Sequence, residues 1–288
     1  ALEGDRFDGH DFIQDALDRG AVGVVTRMGR VGVGEDSAAF ARYLVDDTLR
    51  ALGDLARYRR KALRARIVGI TGSSGKTTTK NLLAATLEGS FRAHTNPGNF
   101  NNRIGLPLTI LEAPDDSEVL VLEMGTNEPG EIGALTGIAG PEIGLITTVG
   151  ETHLEKLGTL EGVLEEKLDL FRGLPPHGLG VVGDDPPILQ EKGRGVAPRL
   201  LVAGLSPRTA PENRPEGLMP RGDGTFRFRW RGEVVELSMP GRHSVQNALL
   251  ALAVADVLGV PARHAARRVG TVAPTGMRSE IRRLGDFT

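Results

Sequence analysis

Apolar and polar positions along this chain switch between a helical period and a strand period, and the switches mark out its elements. Near the start, Phe12, Ile13, Ala16 and Leu17 recur at helical spacing, and Ala21-Val22-Gly23-Val24-Val25-Thr26 reads as a strand. This α/β segment ends near residue 45 and is too small for a complete domain. An arginine-rich helix is expected over 47–63. Strands are predicted at Arg66–Thr71, 117–124 and 142–149, separated by helices from the intervening loop to Leu87 and over 131–138. A helix over 159–171 and strands at Leu179–Gly183 and Leu200–Ala203 continue the alternation. Such a pattern argues for a mostly parallel sheet with helices on both faces, whose ligands sit at the carboxyl ends of strands. After Pro207, Pro211, Pro215 and Pro220, residues 225–237 alternate around Arg231-Gly232 as a hairpin, and an alanine- and leucine-rich helix opens at Gly241.

Composition narrows the setting. The 288 residues suggest roughly two domains, and 40% hydrophobic residues can fill a core. The apolar stretch near 248–259 is interrupted by Asp256 and is shorter than the ~20 residues a bilayer needs, so no membrane partner is expected. With charged residues among the first ten, no secretory signal is expected there. The absence of cysteine excludes disulfides and thiolate chemistry, and a cytoplasmic location is expected. A net charge of −2 and 4% aromatic residues give no support for nucleic-acid binding. Lysine is scarce, 6 residues against 29 arginines, so a lysine at a site is drawn from a small pool.

Residues 69–79 read Gly-Ile-Thr-Gly-Ser-Ser-Gly-Lys-Thr-Thr-Thr between a strand and a helix, which is a phosphate-binding loop of the G-x-x-G-K-[ST]-T form. Backbone N–H groups of Gly72, Ser73, Ser74, Gly75 and Lys76 can converge on phosphate oxygens, Lys76 adds a point charge, and Thr77 can reach a Mg²⁺, with Thr78 following. Glu123 ends a predicted strand on the same sheet edge, where it is either a metal-holding acid or a solvated strand end. His153 follows the next strand and is either functional or a structural loop histidine. Lys167 falls on the apolar face of its helix with Leu160, Val163, Leu164, Leu170 and Phe171, and no acid lies at i±3 or i±4. It either snorkels from the rim or points into a site where desolvation favours the neutral amine. Asn247 either reads an adenine edge or ties its helix to a loop.

These residues carry a resemblance. Gly4-Asp5-Arg6-Phe7-Asp8-Gly9-His10-Asp11-Phe12, the phosphate loop, His94-Thr95-Asn96-Pro97-Gly98-Asn99-Phe100-Asn101-Asn102, Glu123-Met124-Gly125-Thr126-Asn127, Thr152-His153-Leu154-Glu155, Glu166-Lys167 and Gly241-Arg242-His243-Ser244-Val245-Gln246-Asn247 stand in the order found in the Mur ligase family, which the chain resembles from end to end. The resemblance implies an ATP-dependent, ADP-forming ligase of peptidoglycan synthesis with two Mg²⁺ sites, and the motifs at Arg6–Phe12, 98–102 and 123–125 are most similar to the branch joining D-Ala-D-Ala to UDP-MurNAc-tripeptide. By the same resemblance Thr77 and Glu123 hold one Mg²⁺, and His153 with a carbamylated Lys167 holds the other. Asn247 and Arg278 meet ATP, and Asn99, Asn101, Asn102, Arg6, Phe7 and Asp8 face the acceptor substrate. Lys76, His153 and Lys167 are the residues expected to serve catalysis. The implied domains are a partial UDP-binding domain over 1–45, the ATP-binding domain over 46–275, and a linker with the start of a C-terminal domain over 276–288. With a first strand and most of the last domain expected outside the sequence, the chain is expected to be a monomer that binds nucleotide but ligates poorly. A Mur ligase adding an earlier stem-peptide residue, a folylpolyglutamate synthase-like ligase and a nucleotide-binding module without ligation stay open.

Overall fold

The computed structural model describes residues 1–4, 6–29, 40–152 and 154–274, with Leu154 by its backbone alone. The chain opens with a 3-10 turn, α1 (Ile13–Asp18), β1 (Gly23–Arg27) and β2 (Ala41–Val45), the two strands pairing in parallel. Helix α2 (Thr48–Ala62) follows, capped by Asp47, whose carboxylate accepts from the N–H groups of Leu49 and Arg50. The remaining elements are β3 (Arg66–Thr71), α3 (Lys76–Leu87), β4 (Ala93–Thr95), α4 (Gly105–Glu112), β5 (Val119–Glu123), α5 (Glu131–Ala139), β6 (Ile143–Ile146), α6 (Leu154–Leu157), α7 (Leu160–Arg172), β7 (Leu179–Gly183), α8 (Pro187–Val196), β8 (Leu200–Ala203), β9 (Glu216–Pro220), β10 (Phe226–Trp230), β11 (Glu233–Glu236), α9 (Arg242–Leu258) and α10 (Ala262–Val269).

Six strands form one parallel sheet in the order β4-β5-β3-β6-β7-β8. Every residue of β5 and β6 is buried, as expected for strands covered on both faces. One hydrophobic core joins the sheet to α3, α9, α10 and the β9–β11 meander, and a second joins the opposite face to α2, α4, α5, α7 and α8. The chain leaves β3 toward β4 on one side and leaves β6 toward β7 on the other, so the carboxyl ends of β3 and β6 flank a topological switch point.

The arginines of α2 have a structural use. Arg57 donates to Gly137 O (3.1 Å) and Arg60 to Ala139 O (2.7 Å), both at the C-terminal end of α5, while Arg59 donates to Ala113 O (2.7 Å) at the end of α4. Cations placed on terminal carbonyls satisfy groups that the helix itself leaves open.

Candidate functional site

The loop after β3 crosses the switch point. Gly75 precedes α3 with φ of 82°, a conformation that disfavours other residues, and it provides no side-chain cap to the N-terminal N–H groups of α3. Those groups face an open cleft of ≈ 1170 Å³ that the loop, Glu123, Thr147, Asp184 and Asn247 help to line. The end of β6 fixes the loop's shape: Ser73 N donates to Thr148 O (2.9 Å), and Thr147 Oγ1 donates to Ser74 O (2.5 Å). Lys76 folds back to donate to Gly72 O at 2.7 Å. A Cβ on Gly75 would lie 2.5 Å from Asn247 Oδ1, so α9 presses directly on the loop.

Glu123 is 2% exposed, which removes the solvated reading. Its backbone is clamped by Asn96, whose Oδ1 accepts from Glu123 N and whose Nδ2 donates to Glu123 O, both at 2.9 Å. Asn101 Nδ2 donates to its Oε1 at 2.9 Å. Oε2 is buried, accepts no hydrogen bond among the described residues, and lies 3.6 Å from Lys80 Nζ. A buried carboxylate oxygen with open lone pairs, in one cleft with Thr77, fits a hard cation that also takes phosphate oxygens. Among the described residues no three His, Asp or Glu side chains form a complete cage by themselves.

Lys167 is 1% exposed, so it does not snorkel. Burial, and secondly the charge of Lys76, lower its pKa from 10.5 to about 8, while Glu166 acts in the opposite sense. Glu166 is occupied elsewhere: it accepts from Gly130 N (2.6 Å), Ile132 N (2.8 Å) and Thr126 Oγ1 (3.3 Å), capping α5. His153 and Arg278 lie outside the described residues.

The acceptor-side candidates are less concentrated. Arg6 and Phe7 are exposed, Asp8 caps the 3-10 turn and contacts His10 Nδ1 at 2.6 Å, and none of the three lines the cleft. Asn99 is exposed, Asn101 holds Glu123, and Asn102 Oδ1 accepts from Ile104 N (3.1 Å) and Gly105 N (2.8 Å) at the start of α4. The cleft also takes in Asp184, Asp185, Ser206 and Gln246, to which the sequence reading assigned nothing. Asp184 Oδ2 accepts from Ser206 N (2.5 Å) and Thr209 Oγ1 (2.9 Å), which draws the loop after β8 to the rim. An acid pair directly after the strand Leu179–Gly183, at its carboxyl end, was the available signal.

Fold and site together define a phosphate-loop α/β protein with a buried carboxylate, open at one oxygen, on the strand next to the loop strand. Residues 70–255 match the Mur ligase middle domain, and the chain belongs to the Mur ligase family. The UDP-N-acetylmuramoyl-tripeptide–D-alanyl-D-alanine ligase of Bacillus subtilis is 37% identical to it over 281 residues, 97% of this chain and 60% of that protein. Among solved structures, MurF from Acinetobacter baumannii superposes with a TM-score of 0.86 at 27% identity, covering 99% of this chain and 62% of that one. MurF from Thermotoga maritima in complex with ADP does so at 0.79 and 31%, covering 92% and 61%. The chain thus spans about three fifths of the length of these relatives.

Proposed function

We propose that this chain is the nucleotide-binding part of an ATP-dependent ligase that joins D-alanyl-D-alanine to UDP-N-acetylmuramoyl-tripeptide in peptidoglycan precursor synthesis. The observation that carries the reading is Glu123, a buried carboxylate with one oxygen that accepts no hydrogen bond among the described residues and stands 3.6 Å from Lys80 Nζ, set in the cleft of the phosphate loop. The relatedness to proteins bearing that activity in their names supports it.

In this reading the tripeptide carboxylate attacks the γ-phosphorus of ATP, ADP departs, and the amine of D-Ala-D-Ala then displaces phosphate from the acyl phosphate with loss of a proton. One anion attacks another, so catalysis is positioning and charge neutralisation, with no side-chain nucleophile. The loop N–H groups and Lys76 hold the phosphates, with Thr77 and Glu123 as the residues for one Mg²⁺ and Lys167, carbamylated, with His153 for a second. Bound there, the cations supply neutralisation of the phosphate charge. Asn247 and Arg278 are assigned to the nucleotide, and Asn99 to the acceptor end. Burial suits Lys167 to this use, because only the neutral amine reacts with CO₂, and a carbamate reverses its charge.

The test is phosphate release from ATP with Mg²⁺ and UDP-MurNAc-tripeptide, with and without D-Ala-D-Ala, on this chain and on a full-length form. Release that needs both substrates is expected in the full-length form. Nucleotide binding without release in either form would leave a binding module of another function.

A further inference from the structure

Helix α3 carries a second lysine one turn after Lys76, and it is buried. Lys80 is 3% exposed on the face that also places Leu83 and Leu87 in the core. A buried ammonium is costly without partners. Lys80 Nζ donates to Asn96 O at 2.7 Å and to Gly98 O at 3.5 Å, and it stands 3.6 Å from Glu123 Oε2. It therefore touches the near end of the loop running from Asn96 to Asn101 and the carboxylate assigned to the cation. The far end of the same loop grips the other carboxylate oxygen through Asn101 Nδ2, and Asn101 O accepts from Gly125 N at 2.7 Å. Asn96 completes the unit by bonding both the N–H and the C=O of Glu123, and Phe100 O. A lysine that merely filled space beneath the phosphate loop would not need to divide its charge between a carboxylate and two loop carbonyls.

We propose that Lys80 is a positioning residue that couples the cation site at Glu123 to the order of the Asn96–Asn101 loop, on which the acceptor-side asparagine Asn99 is carried. The proposal rests on the assignment of Glu123 to the cation. While Glu123 Oε2 is open, Lys80 shares its charge between that oxygen and the loop. With a cation on Oε2, the ammonium is repelled from the carboxylate and turns more of its charge to the carbonyls of Asn96 and Gly98, so the loop is held more firmly. Filling the nucleotide site thereby prepares the neighbouring loop for the second substrate. Coupling of this kind is reciprocal: a ligand that orders the loop tightens cation binding.

The experiment is amide hydrogen exchange at residues 98–100 of this chain, with ADP alone and with ADP plus Mg²⁺. In the unsubstituted chain, Mg²⁺ is expected to slow exchange there by about fivefold or more beyond ADP alone, the low end of ordinary coupling. Lys80→Met, and Lys80→Gln as a second uncharged variant, should bind Mg²⁺ and ADP yet lose that extra slowing, whereas Lys80→Arg should keep most of it. A lysine of purely structural use would change exchange by the same factor with and without Mg²⁺. Equal exchange in both conditions in the unsubstituted chain, or full metal-dependent slowing in Lys80→Met or Lys80→Gln, overturns the proposal. Glu123→Gln separates the two levels. If calorimetric binding of ADP by that variant keeps its Mg²⁺ dependence, the assignment of Glu123 fails; if the dependence is lost while the lysine variants behave as unsubstituted chain, only the coupling fails.

Discussion

Lys167 shows how much chemistry one buried position can hold. With its pKa lowered to about 8 by burial and by Lys76, roughly a quarter of it is neutral at pH 7.5, against about one part in a thousand for an ordinary lysine. Incubation with ¹³C-bicarbonate should therefore give a carbamate signal that grows between about pH 7 and 9 and that Lys167→Arg lacks. The same shift has a stability consequence. Below about pH 8 the ammonium is charged in both folded and unfolded chains, and the fold carries the cost of burying it. Between about 8 and 10.5 the folded chain has released the proton while the unfolded chain keeps it, so stability rises. Lys167→Met should stabilise most below pH 8, by at most about 3 kcal/mol, with the gain shrinking toward pH 10.5 in denaturant titrations. Gly204 is a second instructive residue, because a Cβ there would run into the Asp184 carboxylate that organises the loop after β8. Gly204→Ala should lower Tm and weaken ADP binding together, measured by melting and calorimetry.

At the level of elements, Glu166 is the cap that α5 lacks in its own sequence, since Gly130 at the N-cap offers no side chain. Its replacement by alanine orphans the buried N–H of Ile132 and the part-buried N–H of Gly130, and should cost about 1–3 kcal/mol, visible as a lowered melting temperature. Strong periodicity made many elements legible: β3, β7 and β8 lie at the residues read from the pattern, α3 ends at Leu87 as expected, and α7 begins after the Thr159 cap. The predicted strands 117–124 and 142–149 are trimmed to Val119–Glu123 and Ile143–Ile146. Several of the elements that escaped have weak local signals. β4 is three residues, Ala-His-Thr, at the sheet edge; α4 contains Pro107; α8 contains Gly193 and Gly195; and α10 is mostly alanine and arginine. The phosphate loop could be read because its residues are contiguous, and Glu123 because it ends an apolar strand. The acid pair after Leu179–Gly183 and the spacing of Lys80 with Leu83 and Leu87 were both legible locally, whereas the meeting of Asp184 with Ser206, and of Lys80 with Asn96 and Glu123, emerges only when separate strands bring their ends together.

Across the whole molecule, ligand affinity and stability are linked through the loop that α9 and β6 hold. ADP with Mg²⁺ at about 100 times its Kd should stabilise the chain by about 2.7 kcal/mol, and Lys76→Ala should abolish most of that rise in Tm. The two cores on either face of the sheet also assign each helix a distinct share of the work. Helix α2 stands before the first strand of the large sheet and would look dispensable to anyone trimming the protein to a minimal nucleotide-binding piece. Yet its arginines serve the ends of α4 and α5, helices that come 50 to 80 residues later. A fragment cut just ahead of Arg66 would strip those carbonyls of their donors and uncover Ile138 and its neighbours, whereas one beginning at Asp47 retains both cap and clamp. The hydrogen bonds around the large sheet are thus closed by a helix whose cap, Asp47, stands some twenty residues upstream of the strand that carries the loop.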